Sequence, residues 1–415
     1  MRAGDRAGAA RALAWNAEWI NRGAGLIATA PAVEEVEALI AEGWTLADGD
    51  LGAQARLLTA EGFNRAVDDP ATLELVDRAL TLAGRIDAPV IETAALDLLT
   101  GAQLARGEVR AAAATALRRT ELLAPVAVTA TTAMEIFDGL VMASECAVAA
   151  GDLTTARRSA ERLRDLPFYQ EEGHLATARL ITVAALAGDW AETVGLAERF
   201  REGWERAGRP PASNLSRAAY AAATVHGLRG DDRARAAWLD VVGALVAPGR
   251  SLPQLHFGRF FDALLLLHRG LPEQAAQALD TPPERLDPWD RDLWRPWYAA
   301  LWAEAAVLSG HPDAAACVAR ARLATAGNPV ATAIVARASA LTSPAGSSDI
   351  RVGMARAAVA LRTAGCRYQW ARTLVLIGGK QRARGESMLA AMGAAPMPWP
   401  PGTTVNGVRP LGVPG

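Results

Sequence analysis

Lysine is almost missing from this 415-residue chain: Lys380 is the only one, so arginine supplies nearly all of the 43 basic residues. They stand against 45 acidic residues for a net charge of −2, and an even mixture of signs gives no electrostatic footprint for nucleic acid. Cysteine is scarce. Cys146, Cys317 and Cys366 are odd in number and far apart, which excludes a disulfide framework and a zinc pattern and fits buried thiols in a reducing cytoplasm. The five histidines (His174, His226, His256, His268, His311) show no paired-ligand spacing, and no GxSxG elbow is present. No apolar run reaches 18 residues. Residues 1–5 carry an acid and an arginine with no apolar stretch behind them, so neither a leader peptide nor a membrane span is expected. Gly378-Gly379-Lys380-Gln381 lacks the earlier glycine and the following hydroxyl residue of a phosphate loop, and Trp370–Ile377 before it reads as a helix where a strand is needed. No cofactor is expected.

What is abundant is alanine. Hydrophobic residues make up 51% of the chain and aromatics 6%, and no segment alternates at period two for long enough to argue for a sheet. Alanine and leucine interspersed with arginine and glutamate favour helix throughout, so the expected class is all-α. Into this background a glycine is set at regular intervals: Gly107, Gly151, Gly188, Gly230, Gly270 and Gly310, spaced about 40 residues apart. A small residue follows five positions later in most cases (Ala112, Ala156, Thr193, Ala275, Ala315), and Gly378/Ala383 repeats the pair; at Gly230 the fifth residue is Arg235. Seven positions before the glycines stand Thr100, Ser144, Ile181, Ala223, Ala263, Ala303 and Ala371. Each glycine marks a left-handed helix cap, and an acid or a proline then opens the next helix: Glu108, Asp152, Asp189, Asp231, Pro272, Pro312. Small residues on facing positions let the two helices of a hairpin approach closely.

The pattern divides the chain into degenerate N-terminal repeats over 1–88, clear hairpins over 89–325, closing helices over 326–393 and a Pro/Gly-rich tail, expected to be disordered, over 394–415. Trp15 and Trp19 share one face of the first helix, Pro31 and Asp69-Pro70 open two more, and a single helix is predicted over 328–342. The arginine pairs Arg118-Arg119 and Arg157-Arg158 read as solvated helix faces.

The strongest local anomaly lies at 287–302, where four of twelve tryptophans fall within fourteen residues. Trp294, Trp297 or Tyr298, and Leu301 form a stripe that suits a seam between hairpins. The same stretch offers the candidate ligand surface: Trp289, Asp290, Arg291, Trp294, Arg295, Trp297 and Tyr298, as indole faces with charges between them. Asp287, Asp290 and Asp292 are the candidates if the chain is instead an α/α-toroid enzyme acting on a sugar or lipid. A second contact candidate is the loop from Leu166 to His174.

The spacing of small residue, glycine and alanine resembles the tetratricopeptide repeat over about 90–325 and, more loosely, 350–393, although the repeat is longer than usual and the consensus aromatics are mostly absent. That resemblance implies a right-handed α-solenoid of antiparallel hairpins. The run from Met354 through Gly365, Tyr368-Gln369-Trp370-Ala371-Arg372-Thr373-Leu374 and Ala383-Arg384-Gly385-Glu386 is similar to the closing repeat of LuxR-type, MalT-like ATP-binding regulators of actinobacteria. It implies the sensor region of such a regulator: a cytoplasmic, non-catalytic module that binds a protein partner (a regulator or NTPase), a peptide or a small inducer on its concave face. The phosphate loop and the DNA-binding helix-turn-helix of those proteins have no counterpart here, so ATP hydrolysis and direct nucleic-acid binding are not carried over, and no membrane contact is expected.

Overall fold

The computed structural model describes residues 5–22, 31–67, 69–167, 173–246, 256–286, 288–343 and 348–398, without the side chains of residues 256 and 288–291. Among the described residues there is no strand, and the protein is all-α. No described helix is long and apolar enough to cross a membrane. The chain divides within its seventh helix into two compact units, Met1–Cys146 and Ala147–Gly415.

The first unit holds α1 (Arg6–Arg22), α2 (Val33–Ala47), α3 (Leu51–Phe63), α4 (Pro70–Arg85), α5 (Pro89–Ala105), α6 (Val109–Leu123) and most of α7 (Ala133–Ala149). Here α1 packs on α2 and α3, α3 on α4 and α5, and α5 on α6. Asp69 caps α4 as its position before Pro70 predicts, accepting from Ala71 N at 2.9 Å. The helix α3 has no amphipathic signature, because it is buried on nearly every side: Gly52, Ala53, Ala55, Leu57, Leu58, Thr59, Ala60 and Gly62 are all covered.

The second unit continues with α8 (Leu153–Arg164), α9 (Gly173–Ala187), α10 (Trp190–Arg206), α11 (Ser216–Leu228), α12 (Asp232–Leu245), α13 (His256–His268), α14 (Pro272–Ala278), α15 (Pro288–Leu308), α16 (Ala314–Ala324), α17 (Pro329–Leu341), α18 (Ser348–Thr363), α19 (Arg367–Ile377) and α20 (Gly379–Ala391). Six hairpin turns are built alike. Gly107, Gly151, Gly188, Gly230, Gly270 and Gly310 all have φ between 69° and 89°. In each, the amide after the glycine reaches back five residues to a carbonyl of the preceding helix: Glu108 to Gln103, Asp152 to Ala147, Asp189 to Ala184, Asp231 to His226, Leu271 to Leu266 and His311 to Ala306, at 2.8–3.0 Å. This is the Schellman arrangement, which needs a left-handed residue at the glycine position.

The residues seven before the glycines are buried without exception, from Thr100 to Ala371. The small residues five after are buried at Ala112, Ala156, Thr193 and Ala275, whereas Ala315 and Ala383 are exposed. After Gly310, His311-Pro312-Asp313 delays the helix until Ala314, so Cys317, Val318 and Ala321 turn inward instead. After Gly378, α20 starts at once, and Gly385 is the residue that meets α19: a Cβ there would stand 2.6 Å from Ala371 O.

The helices α9, α11, α13, α15 and α17 touch in sequence, forming a row. The helix α19 contacts both ends of that row and its middle. Cys366, its N-cap, donates its thiol to Leu186 O of α9 (3.1 Å). Tyr368 meets His268 of α13, Arg372 pairs with Glu304 of α15, and Gln369 and Thr373 accept from Arg337 of α17. The helix α19 thus ties α9, α13, α15 and α17 of the row to one another. The tail expected from 394 begins with a seated segment: Ala395 N donates to Leu228 O (2.8 Å), and Met397 is buried. Residues 399–415 lie outside the described residues.

Candidate functional site

The aromatic stretch singled out in the sequence opens α15. Trp294 and Trp297 are 2% and 1% exposed, and Tyr298 is fully buried. Trp294 packs on Phe260 and Phe261 of α13, with ring centroids 5.6 Å apart in both cases. Trp297 donates its Nε1–H to Val148 O (2.8 Å), and Tyr298 its hydroxyl to Thr281 O (3.0 Å). These three rings therefore pack in the seam between α13 and α15, with the polar tips of Trp297 and Tyr298 satisfied. Arg295 and Asp292 are partly exposed. Asp287 and the side chains of Trp289, Asp290 and Arg291 lie outside the described residues. The structure thus brings Trp294, Trp297 and Tyr298 together as packing, and places Arg295 at the margin of that seam.

Two turns further along the same helix, Glu304 is buried with two guanidiniums. Arg337 donates from Nε to Oε1 (2.7 Å) and from Nη2 to Oε2 (2.8 Å), and Arg372 donates from Nη1 to Oε2 (2.6 Å). Arg337 also reaches Thr373 Oγ1 (2.8 Å), Gln369 Oε1 (2.9 Å) and Gln369 O (3.3 Å). Burial pushes the Glu304 carboxyl up, but the two arginines outweigh it and hold the group below the ordinary carboxylate range. With three donors on its oxygens, Glu304 is occupied as an acceptor; the cluster ties α15, α17 and α19 together.

A second ion cluster lies in Met1–Cys146. Arg22 donates to Asp97 (2.9 Å), Glu135 (2.7 Å) and Asp138 (2.6 Å), and pairs with Glu18. Its guanidinium lies 4.5 Å from the Trp19 ring centroid. Arg119 pairs with Asp97, with Glu135 (2.9 Å) and with Asp138 (2.7 Å). Arg119 is fully buried, which corrects its reading as one of a solvated pair; Arg118 is exposed as expected, and Arg157 is half-exposed between Asp189 and Glu192. Arg119 turns inward because α5 and α7 present Asp97, Glu135 and Asp138 to it. Four carboxylates and three arginines (with Arg56 on Glu18) share this interior, and desolvation and neighbouring charge compete at Glu18, Arg22, Asp97, Arg119 and Glu135. Burial, with Asp138 and Glu135 close by, raises Asp97 to about 6 against the pull of Arg119 and Arg22. Burial also opposes ionisation of Glu135, yet Arg22 and Arg119 win and lower it to about 2.

The pattern of alternating apolar and small residues conceals these groups. Glu304, Arg337 and Arg372 each interrupt an apolar helical run (Ala303-Glu304-Ala305, Ala336-Arg337-Ala338, Ala371-Arg372-Thr373), and a lone charge inside such a run is the signal that could have found them. Of the second contact candidate, residues 168–172 lie outside the described residues, while His174 is buried edge-on to Phe200. The three cysteines are buried thiols, and burial pushes Cys366 up to about 12. Among the described residues no group of His, Cys, Asp and Glu is spaced to hold a metal ion. Compared with family models and with curated proteins, the sequence finds no match.

Proposed function

We propose that the protein is a non-catalytic helical-repeat interaction module of a regulatory system. In this reading the hairpins form a right-handed, tetratricopeptide-like solenoid that works in the cytoplasm as the sensor region of a LuxR-type, MalT-like regulator does. It binds a protein, a peptide or a small inducer on the inner side of the repeat row. The observation that supports it is the recurrence of one turn, with one hydrogen-bond pattern, at six glycines. Stacked hairpins of this kind change curvature by small rotations between units, so a ligand that prefers one curvature shifts the population toward it. With α19 in contact with α9, α13, α15 and α17, such a ligand acts by exchanging with, or bearing on, the closing hairpin.

The test is affinity capture from native lysate on the immobilised full chain, followed by a titration with the purified captured protein. A Kd of about 10 μM or tighter, weakened by Arg295→Glu at the margin of the α15 seam, is the supporting result. A lysate and metabolite screen that returns no ligand for the folded chain overturns the reading.

The contact of α19 with α9 favours one second reading, an α/α-toroid enzyme acting on a sugar or lipid. Turnover on a sugar or lipid panel that is abolished by Asp292→Asn would establish that reading and sink the first.

A further inference from the structure

Two prolines dictate the backbone beyond α20. Ala395 precedes Pro396 and Met397 precedes Pro398, and a residue before proline is pushed to extended backbone. The helix itself stops at Gly393 (φ 76°), where Ala394 N bonds back to Leu389 O (2.9 Å). From there the chain crosses the turns of the α11/α12 and α13/α14 hairpins.

Both backbone groups of Ala395 are read in that crossing. Its N–H donates to Leu228 O, at the C-terminal end of α11, over 2.8 Å. Its carbonyl lies 3.0 Å from Nε2 of His268, the last residue of α13. A carbonyl only accepts, so Nε2 carries the proton and Nδ1 is the acceptor; the Tyr368 hydroxyl at 3.2 Å then donates to Nδ1. Burial, with Arg372 and Arg269 nearby, holds the imidazole neutral down to about 4, which keeps one ring nitrogen as an acceptor for Tyr368. Reading both the N–H and the C=O of one extended residue is how sheet edges and grooves take peptide strands. The floor of the crossing is glycine: a Cβ on Gly230 would stand 3.5 Å from Ala395 Cβ, and one on Gly270 2.9 Å from Pro398 Cγ. Met397, between the two prolines, is 5% exposed.

We infer that the turn edge made by Leu228–Gly230 and His268–Gly270 is a docking groove for an extended, proline-containing peptide, held in cis by the chain's own residues 394–398. A partner peptide that alternates small or apolar residues with proline enters by exchanging with this segment. The inference rests on the peptide-binding reading above, but puts the ligand at the turn edge in place of the inner side of the row, and names its class. A tethered segment competes at an effective concentration in the millimolar range, so the native chain binds such a peptide roughly 10- to 100-fold more weakly than a chain whose own segment is released.

The experiment uses full-length protein and a fluorescein-labelled peptide of the sequence Gly-Ala-Ala-Pro-Met-Pro, read by fluorescence anisotropy. The released form is the double variant Ala395→Pro, Met397→Asp, which loses the N–H donor and the buried thioether. It is expected to bind the peptide about 10- to 100-fold more tightly than the native chain, and adding His268→Leu removes that gain. Equal binding to native and released chains, or an affinity untouched by His268→Leu, overturns the groove. If the released variant fails to fold, hydrogen exchange at the Ala395 amide of the native chain decides: excess peptide speeds exchange if the groove is shared and leaves it unchanged if it is not. A partner captured from lysate by a chain that fails the peptide test removes this groove and leaves the interaction reading standing.

Discussion

Arg337 grips both carboxylate oxygens of Glu304, Nε at 2.7 Å and Nη2 at 2.8 Å, with neither side chain exposed to solvent. A bidentate pair in a dry interior is demanding: each charge depends on the other for what water would have supplied. Arg372 adds a single bond to the same carboxylate, and its Nε has no hydrogen-bond partner.

Glu304→Gln therefore leaves two buried guanidiniums facing a neutral amide, and is expected to destabilise Ala147–Gly415 by about 3–5 kcal/mol. Arg337→Met should cost a similar amount, because it also strands Gln369 and Thr373, whereas Arg372→Met should cost less. Urea unfolding of the three variants checks the order; an Arg372→Met loss equal to that of Arg337→Met would contradict it.

The cluster in Met1–Cys146 produces two opposed limbs of pH dependence. Asp97, raised to about 6, takes up its proton in the folded state before the unfolded chain does, so stability through this group rises as pH falls from above 6 toward its ordinary 3.8. Glu135, lowered to about 2, contributes stability above its ordinary 4.5 that is lost as pH falls from there toward 2. Hydrogen-exchange protection in α5 and α6 should thus pass through a maximum at mildly acidic pH. Asp97→Asn should flatten the limb near pH 6 and leave the acidic limb in place.

Two glycine substitutions separate strain from crowding. Gly310→Ala places a Cβ in open space at a φ of 69°, so only the left-handed backbone resists it, by about 1 kcal/mol. Gly385→Ala drives a Cβ to within 2.6 Å of Ala371 O and 2.8 Å of Val375 N, both backbone atoms. It should cost about 1–3 kcal/mol despite alanine's better helix propensity, and should lower exchange protection in α19 and α20. Thermal melts and local exchange distinguish the two.

Trp297→Phe keeps most of the ring packing against Phe260 and removes the donor to Val148 O. Val148 O keeps the Gly151 N–H at 2.9 Å, so the loss of one of its two bonds should cost only about 0.5–1.5 kcal/mol, while Trp294→Ala, which removes the ring packed on Phe260 and Phe261, should cost about 3–5 kcal/mol. Urea midpoints of the two variants give the comparison.

The helix ends at Gly107, Gly151, Gly188, Gly230, Gly270 and Gly310 are legible in the sequence because their causes are local. A left-handed glycine, an amide reaching back five residues and an acid or proline opening the next helix all lie within one turn of chain. The helix α3 was not legible, since a segment buried all round carries no period. Arg119 was misread for a related reason: its neighbours along the chain resemble a solvated face, and only Asp97, Glu135 and Asp138 from other helices explain its burial. Of the aromatic candidates at 289–298, the spacing alone indicated a seam, and Trp294, Trp297 and Tyr298 occupy one.

By itself, then, the sequence determined the helical class, the places where helices stop and the small residues that let paired helices approach, all consequences of backbone conformation and short-range bonding. Tertiary structure alone decided that α19 bridges helices of the row, that lone charges at 304, 337 and 372 meet, and that the segment after Gly393 is seated. Those outcomes rest on contacts between residues up to 180 positions apart, such as Cys366 with Leu186. Helical periodicity records that a face is buried; it holds no record of which distant helix buries it.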